Sequence, residues 1–213
     1  MSENHDHAAH DHQAPHGEQA WDERYGAKPK IWSGNPNAVL VAEAAGLQPG
    51  MALDAGAGEG GDACWLAARG WKVTAADISS VAIERAAEHA SERGLAITRL
   101  HADLAKAPAP GTYDLVTTHF LHVPKSEQQP LFRHLAAAVA PGGTLLVVGH
   151  DLGDMAKMPR PDLVEYGWTA EEVAAALGEG WTIEAAEARP RQAVGPDGDE
   201  VTLHDAVLRA RRD

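Results

Sequence analysis

Short apolar runs alternate with amphipathic stretches from Ala38 to the C-terminus. Ala38–Ala45 is apolar, starts after Pro36 and Asn37, and stops at Gly46 and Pro49-Gly50, which predicts a helix. Ala52–Ala55 predicts strand one, and Gly61–Arg69 predicts a helix ended by Gly70. Lys72–Ala76 predicts strand two, closed by Asp77. Ser79 caps a helix running to Gly94, with Ala82, Ala86, Ala87 and Ala90 on its packed face. Ala96–His101, Asp114–Thr118 and Thr144–Gly149 predict strands three to five. Glu127–Ala140 and Ala170–Leu177 predict further helices, and Pro141-Gly142-Gly143 a turn. Trp181–Ala188 and Val201–Arg209 read as two strands with no helix between them, joined around Gly195-Pro196-Asp197-Gly198. Five alternating units predict an α/β fold, a doubly wound, mostly parallel seven-stranded sheet. Its last two strands should form an antiparallel C-terminal hairpin.

Residues 1–17 do not fit this pattern. They are polar, carry His5, His7, His10, His12 and His16, and show no apolar periodicity, so they are expected to be a disordered tail ahead of one domain over 18–213. Imidazole suits zinc, nickel and copper, so a weak metal-binding tail is one reading. Irregular spacing favours the other, a solvated tail, and no metal site with defined spacing is expected elsewhere.

Composition narrows the partners. A net charge of −13 argues against nucleic acid and anionic membrane surfaces. The lone Cys64 excludes an internal disulfide and reads as a small buried apolar residue. No run of about 18 apolar residues predicts a spanning helix. The N-terminus lacks the regions of a signal peptide, so a cytoplasmic location is expected. No sequence pattern fixes the oligomeric state.

The chemistry concentrates at the strand ends. Asp54-Ala55-Gly56-Ala57-Gly58-Glu59-Gly60 joins strand one to the next helix. Glycine permits positive φ and leaves no Cβ between a ligand and the backbone, while the helix start offers free N–H groups. Leu53 to Gly60 resembles motif I of the class I S-adenosylmethionine-dependent methyltransferases. Gly56, Gly58 and Gly61 also satisfy G-x-G-x-x-G, the dinucleotide fingerprint. An aliphatic residue usually stands there in place of Asp54, which tilts the reading toward the methyltransferases. The likeness covers about residues 21–210. Leu66 to Trp71, running into Asp77-Ile78-Ser79, is similar to the tellurite-resistance and thiopurine or thiol methyltransferases.

The resemblance implies S-adenosylmethionine as cofactor and a Rossmann-like methyltransferase fold. It places the methionine moiety at Asp54, Ala55 and the glycines, the ribose hydroxyls at Asp77 and the adenine against Ile78. It places the adenine edge at Asp103 and Leu104, and the reactive methyl beside the strand-four end at Thr118. Each Asp alone also suits a helix cap or turn. His119 and His122 would share a face if their segment turns helically, and a neutral imidazole can take a proton from an acceptor. The alternative is that His119 meets the cofactor through its backbone while His122 packs on the following helix. His150 and Asp151 follow strand five, where substrate contacts often arise. Trp32, with Tyr25 and Asn35, is either a lid recognising the sulfonium or an anchor for the N-terminal segment. The expected reaction is methyl transfer to a small-molecule O, S, N or chalcogen nucleophile. The rivals are an NAD(P)-dependent oxidoreductase and a non-catalytic ligand- or metal-binding protein on the same fold.

Overall fold

The computed structural model describes residues 16–153, 165–194 and 198–213. Seven strands form one sheet: β1 (Met51–Ala55), β2 (Lys72–Asp77), β3 (Thr98–His101), β4 (Tyr113–His119), β5 (Val139–His150), β6 (Trp181–Val194) and β7 (Glu200–Arg212). Their order is β3-β2-β1-β4-β5-β7-β6. The first five are parallel, and β7 runs antiparallel to both β5 and β6. The described helices are α1 (Gly17–Gly26), α2 (Ala38–Ala44), α3 (Gly61–Ala68), α4 (Ser80–Glu92), α5 (Lys125–Ala137) and α6 (Ala170–Leu177). Among the described residues no helix is long and apolar enough to cross a membrane.

Alternation along the central strands sends side chains to two cores. Leu53, Val116, Leu145 and Val147 pack with Leu131, Phe132 and Leu135 of α5 and Val173 of α6. Ala52, Leu115, Leu146 and Val148 pack with Leu40 of α2, Trp65 and Leu66 of α3, and Ile83 of α4. Strand order reverses between β1 and β4, so the crevice beyond their carboxyl ends is where such sheets bind ligands.

The predicted doubly wound sheet and terminal hairpin are present, with shifted boundaries. The hairpin is longer than its apolar pattern indicates, because Arg189–Val194 continues to pair with Glu200–Asp205. Arg191 Nε donates to the buried Asp205 at 2.7 Å across this extension. The Pro141-Gly142-Gly143 turn lies within the span of β5, where the register against β4 jumps between Tyr113 and Leu115. The first described helix, α1, begins at Gly17. His5, His7, His10 and His12 lie outside the described residues, as do residues 195–197 of the hairpin connection. His16 precedes α1, its Nε2 3.8 Å from Glu127 Oε1.

Candidate functional site

The glycine turn is tied to its neighbours by backbone. Gly56 and Ala57 N–H both donate to Ala76 O of β2, at 2.8 and 2.9 Å. Gly56, Gly58 and Gly60 all have positive φ, the conformation that favours glycine. A Cβ on Gly60 would lie 2.9 Å from Ala86 Cα, so this glycine permits the close approach of α3 and α4. A Cβ on Gly58 would lie 3.0 Å from Tyr25 Oη and 3.4 Å from Trp32 Nε1.

Two buried carboxylates face this turn. Asp77 Oδ2 accepts the Gly58 N–H at 2.8 Å, and its Oδ1 accepts the Ser79 N–H at 2.9 Å. Burial pushes the Asp77 carboxyl up, and these N–H groups only partly offset that rise. Asp54, 2% exposed, ends β1. Its Oδ2 is buried without a hydrogen-bond partner. Burial, then the nearby charge of Asp62, and that of Asp77, raise its pKa well above the ordinary value; the Ala63 N–H opposes them.

The chain before β1 closes over the turn. Asp22 of α1 accepts from Ser79 Oγ at 2.5 Å, Ser80 Oγ at 3.1 Å and Val81 N–H at 3.3 Å, docking α1 onto the start of α4. Trp32 Nε1 donates to Tyr25 Oη at 3.1 Å. Glu59, inside the turn, accepts the N–H of Ile31 at 3.1 Å and of Trp32 at 2.9 Å, and pairs with Arg85 Nη1 at 2.9 Å. Trp32 is therefore anchored through its backbone and ring while lying beside Gly58.

The end of β4 divides its two histidines. Thr118 Oγ1 donates to Ala55 O at 2.8 Å, joining β4 to β1. His119 points toward α3: its Nδ1 lies 2.9 Å from Asp62 Oδ2, at ion-pair distance but without hydrogen-bond geometry, and its Nε2 is 3.4 Å from Thr117 Oγ1. Phe120 then takes φ 53, the one positive φ at a non-glycine residue among those described. Residues 120–124 are not helical, so His119 and His122 do not share a helical face. His122 instead joins an aromatic group, with ring centroids 6.4 Å from Trp21, 5.8 Å from His150 and 6.3 Å from Tyr166. Phe120 stacks on His150 at 4.6 Å.

A family model described as methyltransferase domain matches residues 52–143, from β1 through the glycine turn, Asp77 and β4 into β5. The chain is an enzyme that carries a methyltransferase domain. No curated protein matches it in sequence. The methyltransferase is similar to a protein solved in work on converting a disulfide bond into a thioacetal group during echinomycin biosynthesis, with 28% identity, TM-score 0.74 and 92% of each chain covered. It is also similar to magnesium protoporphyrin IX methyltransferase from Synechocystis PCC 6803, solved with bound S-adenosylhomocysteine. That likeness has 26% identity, TM-score 0.61 and covers 83% of this chain and 80% of the other. TehB from Haemophilus influenzae shares the fold, at 18% identity and TM-score 0.68, over 92% of this chain and 67% of its own.

In the methyltransferase the remaining expected residues are placed unevenly. Ile78 is half-buried beside Asp77, its carbonyl accepting from or facing His101 Nε2 at 2.9 Å. Asp103 closes a local turn: Oδ1 accepts the Ala105 N–H at 3.0 Å and Oδ2 pairs with Lys106 at 2.8 Å. Leu104 is buried, and its carbonyl lies 2.9 Å from His134 Nδ1. Sequence reading passed over Glu59, Asp22 and Asp62. Glu59 had a local signal, an acidic residue between two glycines of the turn, but its partners come from distant segments.

Proposed function

We propose that this methyltransferase transfers the methyl group of S-adenosylmethionine to a small-molecule O, S, N or chalcogen nucleophile. The single observation carrying the site assignment is the buried, unpaired Asp54 Oδ2 beside a glycine turn with no Cβ to obstruct it. A cofactor carrying an ammonium gives that oxygen a partner, and the glycine backbone gives it room. The residues present thus fit the cofactor. Asp77 still has acceptor capacity after its two backbone bonds, because a carboxylate has about four lone-pair sites. It accepts from the ribose hydroxyls, Ile78 flanks the adenine, and Asp103 and Leu104 form its edge. Ala55, Gly56, Gly58, Gly60 and Thr118 frame the methionine end, and Trp32 covers it.

When bound, S-adenosylmethionine supplies an electrophilic methyl carbon on a sulfonium sulfur, and the electron pair of the broken C–S bond stays on sulfur. The chain's contribution is alignment, exclusion of water and proton handling. Trp21, Phe120, His122, His150 and Tyr166 form the wall at which the acceptor sits. His122 takes the proton of an acceptor that is not yet ionised. His119, with its ring against Asp62 and Thr117, does not face this wall.

The net charge of −13 supports a small molecule rather than nucleic acid as partner, and the single cysteine supports a reducing, cytoplasmic setting. Calorimetry with S-adenosylmethionine, S-adenosylhomocysteine and NAD tests the cofactor site. Transfer of labelled methyl across a panel of thiols, phenols, amines and oxyanions tests the acceptor class. Binding of NAD in place of both adenosyl ligands would overturn the assignment.

A further inference from the structure

Asp62 sits in the first turn of α3, and no motif calls for an acid there. Its Oδ1 accepts the Asn37 N–H at 2.6 Å, fixing the carboxylate from the side of α2. Its Oδ2 lies 2.9 Å from His119 Nδ1. Asp54, Asp62 and His119 each offer one atom to a group in which all three lie within 4.8 Å of one another. Asp54 Oδ2 is buried and unpartnered at the same place. Among the described residues no lysine or arginine pairs with Asp54 or Asp62, and the His119 ring is the one basic side chain placed against them. Two carboxylates held this close out of water call for a cation.

We propose that Asp62, oriented by Asn37 and His119, acts with Asp54 as a second carboxylate for the α-ammonium at the methionine end of the cofactor. This rests on the cofactor site proposed above and assigns the specificity for the charged amine to a helix residue outside the glycine motif. An ammonium donates in tetrahedral directions. Acceptors about 2.8 Å from its nitrogen stand about 4.6 Å apart, a spacing that this group can supply. The N–H of Asn37 occupies Oδ1 of Asp62, and Oδ2, beside His119 Nδ1, keeps a second lone pair for the ligand. His119 is then a positioning residue for Asp62 rather than a base.

The test is calorimetry on the full chain with S-adenosylhomocysteine, with its analogue lacking the α-amino group, and with Mn²⁺ alone. Wild type should bind the amino form about 10- to 100-fold more tightly than the analogue, as expected for a charge-assisted contact. Asp62→Asn should lose most of that preference while changing analogue affinity less than about threefold. Asp62→Ser serves where the Asn variant does not fold. His119→Gln should reduce the preference partly, since Asp62 keeps its Asn37 contact. Equal losses for both ligands would make Asp62 merely structural and overturn the proposal. So would an undiminished preference in the folded variant. Stoichiometric Mn²⁺ binding that is lost in Asp62→Asn and displaced by S-adenosylhomocysteine would make the group a metal site instead. A wild type that binds neither adenosyl ligand would overturn the cofactor site itself, and this inference with it.

Discussion

Glu59 accepts the backbone N–H of Trp32 at 2.9 Å, so a residue inside the glycine turn holds the segment that covers it. The same carboxylate binds Ile31 N–H and Arg85, which links the cover to α4 as well. Glu59→Gln keeps one acceptor oxygen and loses the ion pair. It should weaken S-adenosylhomocysteine binding about 5- to 30-fold, corresponding to about 1–2 kcal/mol. It should also speed proteolytic cleavage near residues 28–33. Calorimetry and limited proteolysis check both effects, and unchanged values would mean that the clamp does not hold the cover.

Asp54 lends itself to a test of opposite signs. Burial first, then Asp62, raises its pKa in the folded chain above the ordinary 3.8. A carboxyl that binds its proton more tightly when folded stabilises fully below the unfolded pKa, and that contribution is lost as pH rises through the folded value. At pH values above that window the ligand-free protein carries a strained charge. Asp54→Asn should therefore raise the melting temperature there, by about 2–4 °C for each kcal/mol relieved. The same variant should weaken S-adenosylhomocysteine binding, since it removes a charge that the ammonium uses. A fall in both melting temperature and affinity would contradict this account.

Gly58 and Gly60 should fail in different ways. Gly60→Ala puts a Cβ 2.9 Å from the Ala86 backbone at φ 79, and should cost about 1–3 kcal/mol of stability. Gly58→Ala meets only the ends of Tyr25 and Trp32, so its main effect should be on cofactor affinity. Thermal melts paired with calorimetry separate the two. Identical profiles would show that the turn acts as one rigid unit.

Asp77→Ala removes the carboxylate that holds the N–H groups of Gly58 and of Ser79, the N-cap residue of α4. Cofactor affinity should fall about 5- to 150-fold, for a loss on the order of 1–3 kcal/mol. The melting temperature should fall as well, because two backbone N–H groups lose their acceptor. Affinity unchanged in the folded variant would remove Asp77 from the ribose site.

His122→Gln should lower turnover about 10²- to 10⁴-fold on an acceptor that is protonated at assay pH, with cofactor affinity near normal. On an acceptor already ionised the same variant should keep most activity. Equal loss on both would make His122 a packing residue of the acceptor wall.

The parts of this arrangement whose placement was legible in the sequence are the local ones. Apolar residues into Asp54, three alternating glycines and Asp77 after the next strand each lie within one βαβ unit, where spacing fixes placement. The parts missed depend on contacts between distant segments. Glu59 reads as a filler between glycines until Ile31 and Trp32 come back onto it. Asp62 reads as an ordinary first-turn acid until His119 arrives from β4. A helical face for His119 and His122 was a reasonable expectation from their spacing. It failed because Phe120, a residue with no propensity for positive φ, turns the chain there. Arg189–Val194 lacks the apolar alternation of a strand, and its pairing is set by β7 beside it.

The backbone reversal at Phe120 also separates what selection can adjust. On one side of it, Thr118 is hydrogen-bonded to β1 and His119 lies against α3, so change there is expected to disturb the proposed donor site. On the other side, residues 121–124 run free of helix or strand toward the acceptor wall. Leu121 lies against Gly56 of the glycine turn, so an exchange that keeps Leu121 and alters residues 122–124 is the one expected to admit a new acceptor with least disturbance of donor binding.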